Sequence, residues 1–99
     1  MEEQVVYRRR ADVRFRTVLD EGVVVRSEAA EILVLNGVGT RILELVDGER
    51  TMQEIAGALY AEFEVEESEL RLDLESFVRE LDDAGILERV VSKAEGPGP

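Results

Sequence analysis

The first part of the chain alternates between apolar and polar side chains. From Val13 to Leu19 the odd-numbered positions are mostly apolar, and Arg14 and Arg16 fall between them. A period of two is typical of a strand with one buried face. A turn signal at residues 20–22 and a run of valines follow. The pattern therefore predicts a β-hairpin over residues 13–26 with a loop of three residues or similar length.

A third strand is predicted at Glu31–Leu35, where the sequence EILVL is apolar on both faces. Three short strands in succession leave no room for crossover helices, so they are expected to pair as an antiparallel meander. Glu31–Leu35 is then an edge strand. An edge that is apolar on both faces needs a cover, which this chain or a partner could supply.

Beyond this strand the apolar spacing becomes that of helices. Asn36 can cap a helix that stops at Asp47-Gly48, and Thr51–Glu54 has the form of a capping box for a second helix. A third and longest helix is predicted at about Glu67 to Ala84. Its apolar stripe consists of Leu70, Leu74, Phe77, Val78 and Leu81. The predicted fold class is therefore α+β and winged-helix-like: a three-stranded antiparallel sheet followed by three helices, in the order β-β-β-α-α-α.

The two ends of the chain lack such patterns. Residues 1–12 carry three consecutive arginines without periodicity, and we expect a flexible N-terminal arm. Residues 91–99 contain glycine and proline and little to bury, so we expect a disordered tail. Residues 13–90 then form one domain, since 99 residues suffice for a single core.

Composition restricts the chemistry. The chain has no cysteine and no histidine, so it lacks a thiol nucleophile and the most common acid–base residue and metal ligand. We expect neither an enzyme, a cofactor nor a metal site. The formal charge of −11 disfavours nucleic acid and anionic membranes as partners. With no apolar run long enough for a membrane span or a signal peptide, the expected compartment is the cytoplasm.

Two interpretations of the apolar edge and the third helix remain open at this point. A winged-helix DNA-binding protein would insert that helix into the major groove. However, residues 66–85 contain eight acidic side chains against Arg71 and Arg79, which is the wrong sign of charge. The edge and the helix could simply be core, which pattern alone favours. Alternatively, they could flank a groove in which an extended peptide adds as a fourth strand.

The ordered set of motifs resembles the PqqD family, known more widely as recognition elements for ribosomally synthesised and post-translationally modified peptides (RiPPs). The resemblance extends from Val13 to Glu88. Its motifs in this sequence are Leu35-Asn36, Asp47-Gly48, Asp73-Leu74, Phe77-Val78 and Gly85-Ile86-Leu87.

This resemblance implies a peptide chaperone that binds the leader of a precursor peptide and presents it to a modifying enzyme, such as a radical-SAM maturase or a leader peptidase. The product could be pyrroloquinoline quinone (PQQ), a lasso peptide or another RiPP. The leader would pair with the third strand and lie beside the third helix, where Arg71 or Arg79 could meet acidic leader side chains. The peptide-binding residues expected by position are Glu31, Ile32, Leu33, Val34, Leu35, Leu70, Arg71, Asp73, Leu74, Phe77 and Leu81.

We expect a monomer or a weak homodimer. A winged-helix DNA-binding regulator is the alternative function, and a module that dimerises through its edge strands is a third. Duplex-DNA binding that weakens with salt would support the regulator.

Overall fold

The computed structural model describes residues 4–19, 21–28 and 30–90. Within this part of the chain the elements are β1 (Tyr7–Arg9), β2 (Val13–Val18), β3 (Glu21–Arg26), β4 (Glu31–Leu35), α1 (Gly37–Leu45), α2 (Met52–Glu62), α3 (Glu67–Asp83) and β5 (Leu87–Arg89). The predicted α+β class is confirmed, with a three-stranded antiparallel sheet followed by three helices.

The main sheet has the strand order β2-β3-β4. Val18 pairs with Glu21, so two residues connect the strands of the predicted hairpin instead of three. Leu19 in this connection has a φ of 56°. A positive φ is what the tight turns of two-residue hairpins require. The third strand, β4, pairs with β3 along its whole length, as expected for the predicted meander.

The helices lie on one face of this sheet, and α1 makes the main direct contacts with β3 and β4. The face is marked by Val13, Val24 and Leu35, which are buried on neighbouring strands. The largest fully buried side chains are Leu43, Ile55, Leu59, Leu74, Leu87 and Val24. Because each helix contributes one apolar stripe to this cluster, the core lies between the sheet and the helices.

The helix ends follow the predicted signals. The Asn36 side chain accepts the N–H of Gly39 at 2.8 Å. The capping box is confirmed, since Thr51 Oγ1 accepts the N–H of Glu54 and the Glu54 carboxylate accepts the N–H of Thr51. These bonds satisfy donors that the first turn of a helix leaves unpaired.

The turn between α1 and α2 is held by a single carboxylate. Asp47 Oδ1 accepts the N–H groups of Glu49 (2.9 Å) and Arg50 (2.8 Å), and its Oδ2 lies 2.8 Å from Arg50 Nη1. These interactions, led by the two backbone hydrogen bonds, lower the pKa of Asp47 from its ordinary value of 3.8. Gly48 follows with a φ of 84°, which suits a residue without a Cβ.

The N-terminal residues differ from the flexible arm predicted for residues 1–12. Val5 is buried, and β1 pairs antiparallel with β5 at the far end of the sequence. Arg8 Nε lies 2.7 Å from the carboxylate of Glu88. A strand whose partner is some 80 residues away has no local pattern that would predict it. The predicted tail at residues 91–99 lies outside the described residues.

Among the described residues, no helix has the length and apolar character needed to cross a lipid bilayer.

Candidate functional site

The strand β4 is an edge of the main sheet, with β3 on one side and no strand on the other within the described residues. Its side chains remain apolar and open to solvent. Ile32 is 72% exposed, Val34 57% and Leu33 39%. Exposed apolar side chains beside unpaired backbone groups are what a protein normally avoids at a sheet edge. This arrangement makes β4 the candidate functional site.

The hydrogen-bonding register shows which backbone groups of β4 are unpaired. Ser27 donates its N–H to the carbonyl of Asp12 at 3.3 Å, one step beyond the paired residues of β2 and β3. Residues of an antiparallel strand bond alternately to the two sides. Odd-numbered residues of β3 therefore bond to β2, and even-numbered ones bond to β4, where their partners are Glu31, Leu33 and Leu35. The N–H and C=O groups of Ile32 and Val34 consequently point away from the sheet.

Two close approaches place the C-terminal half of α3 near the ends of β4. Near the end of β4, a Cβ on Gly39 would lie 3.2 Å from Cζ of Phe77, so the missing side chain allows this close approach. Near its beginning, Arg26 forms an ion pair with Glu31 at 2.8 Å. The same guanidinium extends to Gly85, where an added Cβ would lie 2.9 Å from Nη2. From Phe77 to its last residue, Asp83, the helix spans about 9 Å.

We call the space between β4 and the Phe77 side of α3 the groove. Leu33 shares the helix-facing side of the sheet with its cross-strand partner Val24. Val24 is 1% exposed, whereas Leu33 is 39% exposed. The helices thus cover the central strand and leave the edge strand partly open. Leu33 on β4 and the half-buried Phe77 on α3 are the apolar side chains that we assign to the floor of the groove.

The predicted site residues on α3 divide into three groups. Leu70, Leu74 and Leu81 belong to the core, with exposures of 6%, 0% and 4%, and offer little surface to a ligand. Phe77 and the exposed Asp73 lie on the groove side. Arg71 lies on the α2 side of the helix, where its Nε is 3.4 Å from Glu67. Of the strand residues, Leu35 is buried, and residues 31–34 are exposed.

The wall that α3 presents to the groove is acidic. Residues three, four and seven positions from Phe77 share its side of the helix. Of these, Leu70, Leu74 and Leu81 are buried in the core, whereas Asp73, Glu80 and Ala84 are exposed. Neither acidic side chain forms an ion pair with another described residue, whereas Arg79 pairs with Glu75 on the opposite side of the helix at 2.8 Å. The site residues predicted from the sequence did not include Glu80, Ala84 and Arg26, although helical spacing from Phe77 would have indicated the first two.

Two cavities among the described residues lie away from this groove. A cavity of about 210 Å³ is formed between the N-terminal residues and the far side of α3, and its lining includes Tyr7, Met52, Glu75 and Arg79. A smaller one of about 50 Å³ lies between α2 and α3 beside Arg71. An extended ligand at β4 would therefore occupy an open groove and not a closed pocket.

Two solved structures are similar to this chain. TbiB1 in complex with the TbiA(beta) leader peptide has a TM-score of 0.78 and 27% sequence identity, and the match covers 86% of this chain and 99% of that chain. A lasso peptide synthetase B1 complexed with the leader peptide has a TM-score of 0.75 and 21% identity, with coverage of 83% and 96%. At 21% identity the second likeness concerns the fold alone. No curated protein matches the chain significantly.

The family model described as coenzyme PQQ synthesis protein D (PqqD) matches residues 21–87. This span contains β3, β4 and all three helices, and therefore both sides of the groove. The resemblance inferred from the motifs is thus confirmed, and the chain belongs to the PqqD family.

Proposed function

We propose that this chain binds the leader segment of a ribosomally synthesised precursor peptide and presents it to a modifying enzyme or a leader peptidase. The leader adds as a fourth strand along β4. Its side chains on the helix-facing side enter the groove between β4 and α3. The chain itself acts by binding, and the chemistry belongs to the enzyme that it serves.

The observation that carries this proposal is the open edge of β4. The N–H and C=O groups of Ile32 and Val34 point outward, and Leu33 leaves an apolar floor partly exposed beside them. An incoming strand would pair with these backbone groups, and alternate side chains would fill the groove. Main-chain bonds of this kind give affinity for any extended segment, while the groove provides selectivity.

Membership of the PqqD family supports this function, as does the likeness to TbiB1, whose structure is a complex with a leader peptide. The product of the pathway could be PQQ, a lasso peptide or another modified peptide. The acidic wall adds one chemical feature of the ligand. A leader that carries Lys or Arg opposite Asp73 and Glu80 would be favoured over one with acidic residues there.

A titration tests the binding mode. The ¹⁵N-labelled chain is titrated with a synthetic leader whose sequence comes from the precursor gene beside its own gene, and with a scrambled version as the control. We expect amide shifts in residues 31–35 and in α3 from Phe77 to Ala84, and none with the scrambled peptide. Shifts confined to the termini would rule out strand addition at β4.

A second copy of the chain is the competing occupant of the same edge. Two β4 strands could pair antiparallel and bury the apolar side chains that each exposes. Sedimentation velocity with and without leader separates the two occupants. We expect a monomer, or a weak dimer that the leader dissociates. A stable dimer that the leader leaves intact would contradict leader binding at this edge.

A further inference from the structure

The main sheet has a second face, and no described element covers it. The three helices pack on the face that contains Val24 and Leu35. Because side chains alternate between faces, Val23 and Val25 of β3 point to the opposite side. They lie beside the exposed Val34 and Ile32 of β4. The outer face of the sheet is therefore apolar at its centre and along β4.

Two arginines border these apolar side chains along β2. Arg14 is paired with Val25, which in turn is paired with Ile32. Arg16 is paired in the same way with Val23, and Val23 with Val34. The outer face thus consists of two parallel rows, each running from an arginine through a valine to an exposed aliphatic side chain. We call it the outer sheet face.

Neither Arg14 nor Arg16 forms an ion pair with another described residue, although the chain has 23 acidic side chains. Other arginines of the structure are paired. Arg26, Arg41 and Arg79, for example, each lie 2.8 Å from a glutamate. Two uncompensated positive charges on a molecule of net charge −11 form a local site of opposite sign. A partner that meets this site favourably must carry carboxylates.

The shape and position of the face indicate which kind of partner fits. An apolar centre with a charged rim is the usual anatomy of a protein–protein interface. Anionic lipid would meet only two arginines and would be repelled by the rest of the molecule. The face also continues to the open edge of β4, so a strand added there would place its outward side chains in the same surface. A protein bound here would contact the chain and its peptide together.

We propose that the outer sheet face docks the modifying enzyme, whose own apolar patch would be bordered by carboxylates that meet Arg14 and Arg16. This assignment deepens the proposed function and rests on it. Recognition of the peptide and recognition of the enzyme are then divided between the edge of one sheet and its outer face. The two arginines bind carboxylates of the enzyme and make no contact with the leader-binding groove.

The test uses the full chain and the purified modifying enzyme encoded beside its gene. Enzyme affinity is measured by calorimetry with saturating leader, for the wild type and for Arg14→Glu, Arg16→Glu and Arg79→Glu. The third variant makes the same charge change on α3, at a side chain that is 68% exposed. Leader affinity is measured separately for each protein. All three positions are on the surface, so the variants should fold, and circular dichroism verifies this.

We expect Arg14→Glu and Arg16→Glu each to weaken enzyme binding about tenfold, and Arg79→Glu less than about twofold. Leader affinity should be unchanged in all three. Enzyme binding by the wild type should weaken as salt is added. Unchanged enzyme affinity in the arginine variants, equal losses in all three, or no enzyme binding by the wild type would each overturn the assignment.

Two further outcomes concern other occupants, and a third concerns the proposed function. Binding of the wild type, lost in the two variants, to vesicles of equal parts phosphatidylcholine and phosphatidylglycerol would replace the enzyme by a membrane. A wild-type dimer that the two variants dissociate would replace it by a second copy. If the leader does not bind at all, the proposed function fails. Arginine-dependent enzyme binding in the absence of leader would still support the docking face.

Discussion

The two edges of the main sheet are built differently. β2 carries Arg14 and Arg16, and on its helix-facing side the guanidinium of Arg9 lies 5.6 Å from the centre of the Phe15 ring. β4 presents Ile32, Leu33 and Val34 to solvent beside a groove. Within the described residues, neither strand has a strand partner on its outer side. Charged side chains on an edge disfavour the addition of another strand, whereas apolar ones do not.

This difference indicates that the chain protects one edge and leaves the other available. A sheet with two open edges would aggregate, and one with two protected edges could not take a peptide strand. The arginines of β2 thus have two consequences. They disfavour strand addition at their own edge, and they supply the positive rim of the outer sheet face.

The largest effect is expected from a proline at Leu33. The register directs the N–H of Leu33 to Val24 on β3, so Leu33→Pro removes a bond inside the sheet. We expect a loss of about 3 kcal/mol in the free energy of unfolding, measured by urea denaturation. A fully stable Leu33→Pro protein would show that the register points the other way, and that Val34 is bonded to β3.

A proline at Val34 tests the open edge itself. Its N–H points outward, so Val34→Pro should leave the sheet intact while removing one donor to the leader. We expect leader affinity to fall about tenfold, which corresponds to one lost backbone hydrogen bond with some loss of packing. Isothermal titration calorimetry measures the change.

The matched control is Thr17→Pro on the opposite edge. Thr17 is paired with Gly22, at a position where the alternation directs its N–H away from β3. The Thr17→Pro protein should bind the leader as the wild type does. If the two prolines reduce leader affinity equally, the edges do not differ in function.

The sheet and its exposed edge could be predicted from the sequence, but the ligand-facing residues of α3 could not. The alternation from Val13 onward and the apolar Glu31–Leu35 segment predicted the meander and its exposed edge. Pattern alone could not say which residues on α3 remain free for a ligand. A single apolar stripe on a helix serves the core first, and Leu74 is buried completely while Phe77 is only half-buried. That distinction depends on where β4 and Gly39 lie in space.

The pairing of β1 with β5 was missed for a related reason. The segment YRR has no apolar alternation, and its stability depends on a strand near the other end of the chain. Long-range pairing of this kind is determined by packing and not by local propensity. The same holds for Arg26, whose position within β3 gives no indication that its side chain extends to Gly85.

A destabilised variant distant from both edges separates stability from binding. Asp47 holds the turn between α1 and α2 through two backbone hydrogen bonds and Arg50. We expect Asp47→Ala to lower the free energy of unfolding by about 1 kcal/mol, as for the loss of a surface cap. Leader affinity should not change. Weaker leader binding in Asp47→Ala would mean that a general loss of stability, and not an edge, explains the proline variants.

The same carboxylate gives a pH dependence with a definite sign. The pKa of Asp47 is lower in the folded protein than its ordinary value of 3.8, so the folded state favours the charged form. Its contribution to stability is fully present above pH 3.8 and is lost as the pH falls through the lower folded value. Urea denaturation of the wild type and of Asp47→Ala should therefore give curves that converge in acid. A difference between the two proteins that persists at the lowest pH would contradict this account.

The smallest effect is expected from the charge of the groove wall. Glu80 lies one turn beyond Phe77 on the side that faces β4 and has no ion pair among the described residues. If the leader carries a basic residue opposite, Glu80→Lys should weaken its binding by about two- to fivefold at low salt. The difference should disappear near 1 M salt, where the screening length falls to about 3 Å.

The matched control for this change is Glu64→Lys, at an exposed position between α2 and α3. It makes the same charge change about 20 Å from Glu80 along the direction of α3. This distance is well beyond the screening length in physiological salt, so the two charges act independently. Equal effects of the two lysines would reflect net charge alone. Tighter leader binding by Glu80→Lys would indicate an acidic leader residue at this wall. Calorimetry at two salt concentrations distinguishes these outcomes, and so determines whether the groove selects its peptide by charge or only by the apolar floor at Leu33 and Phe77.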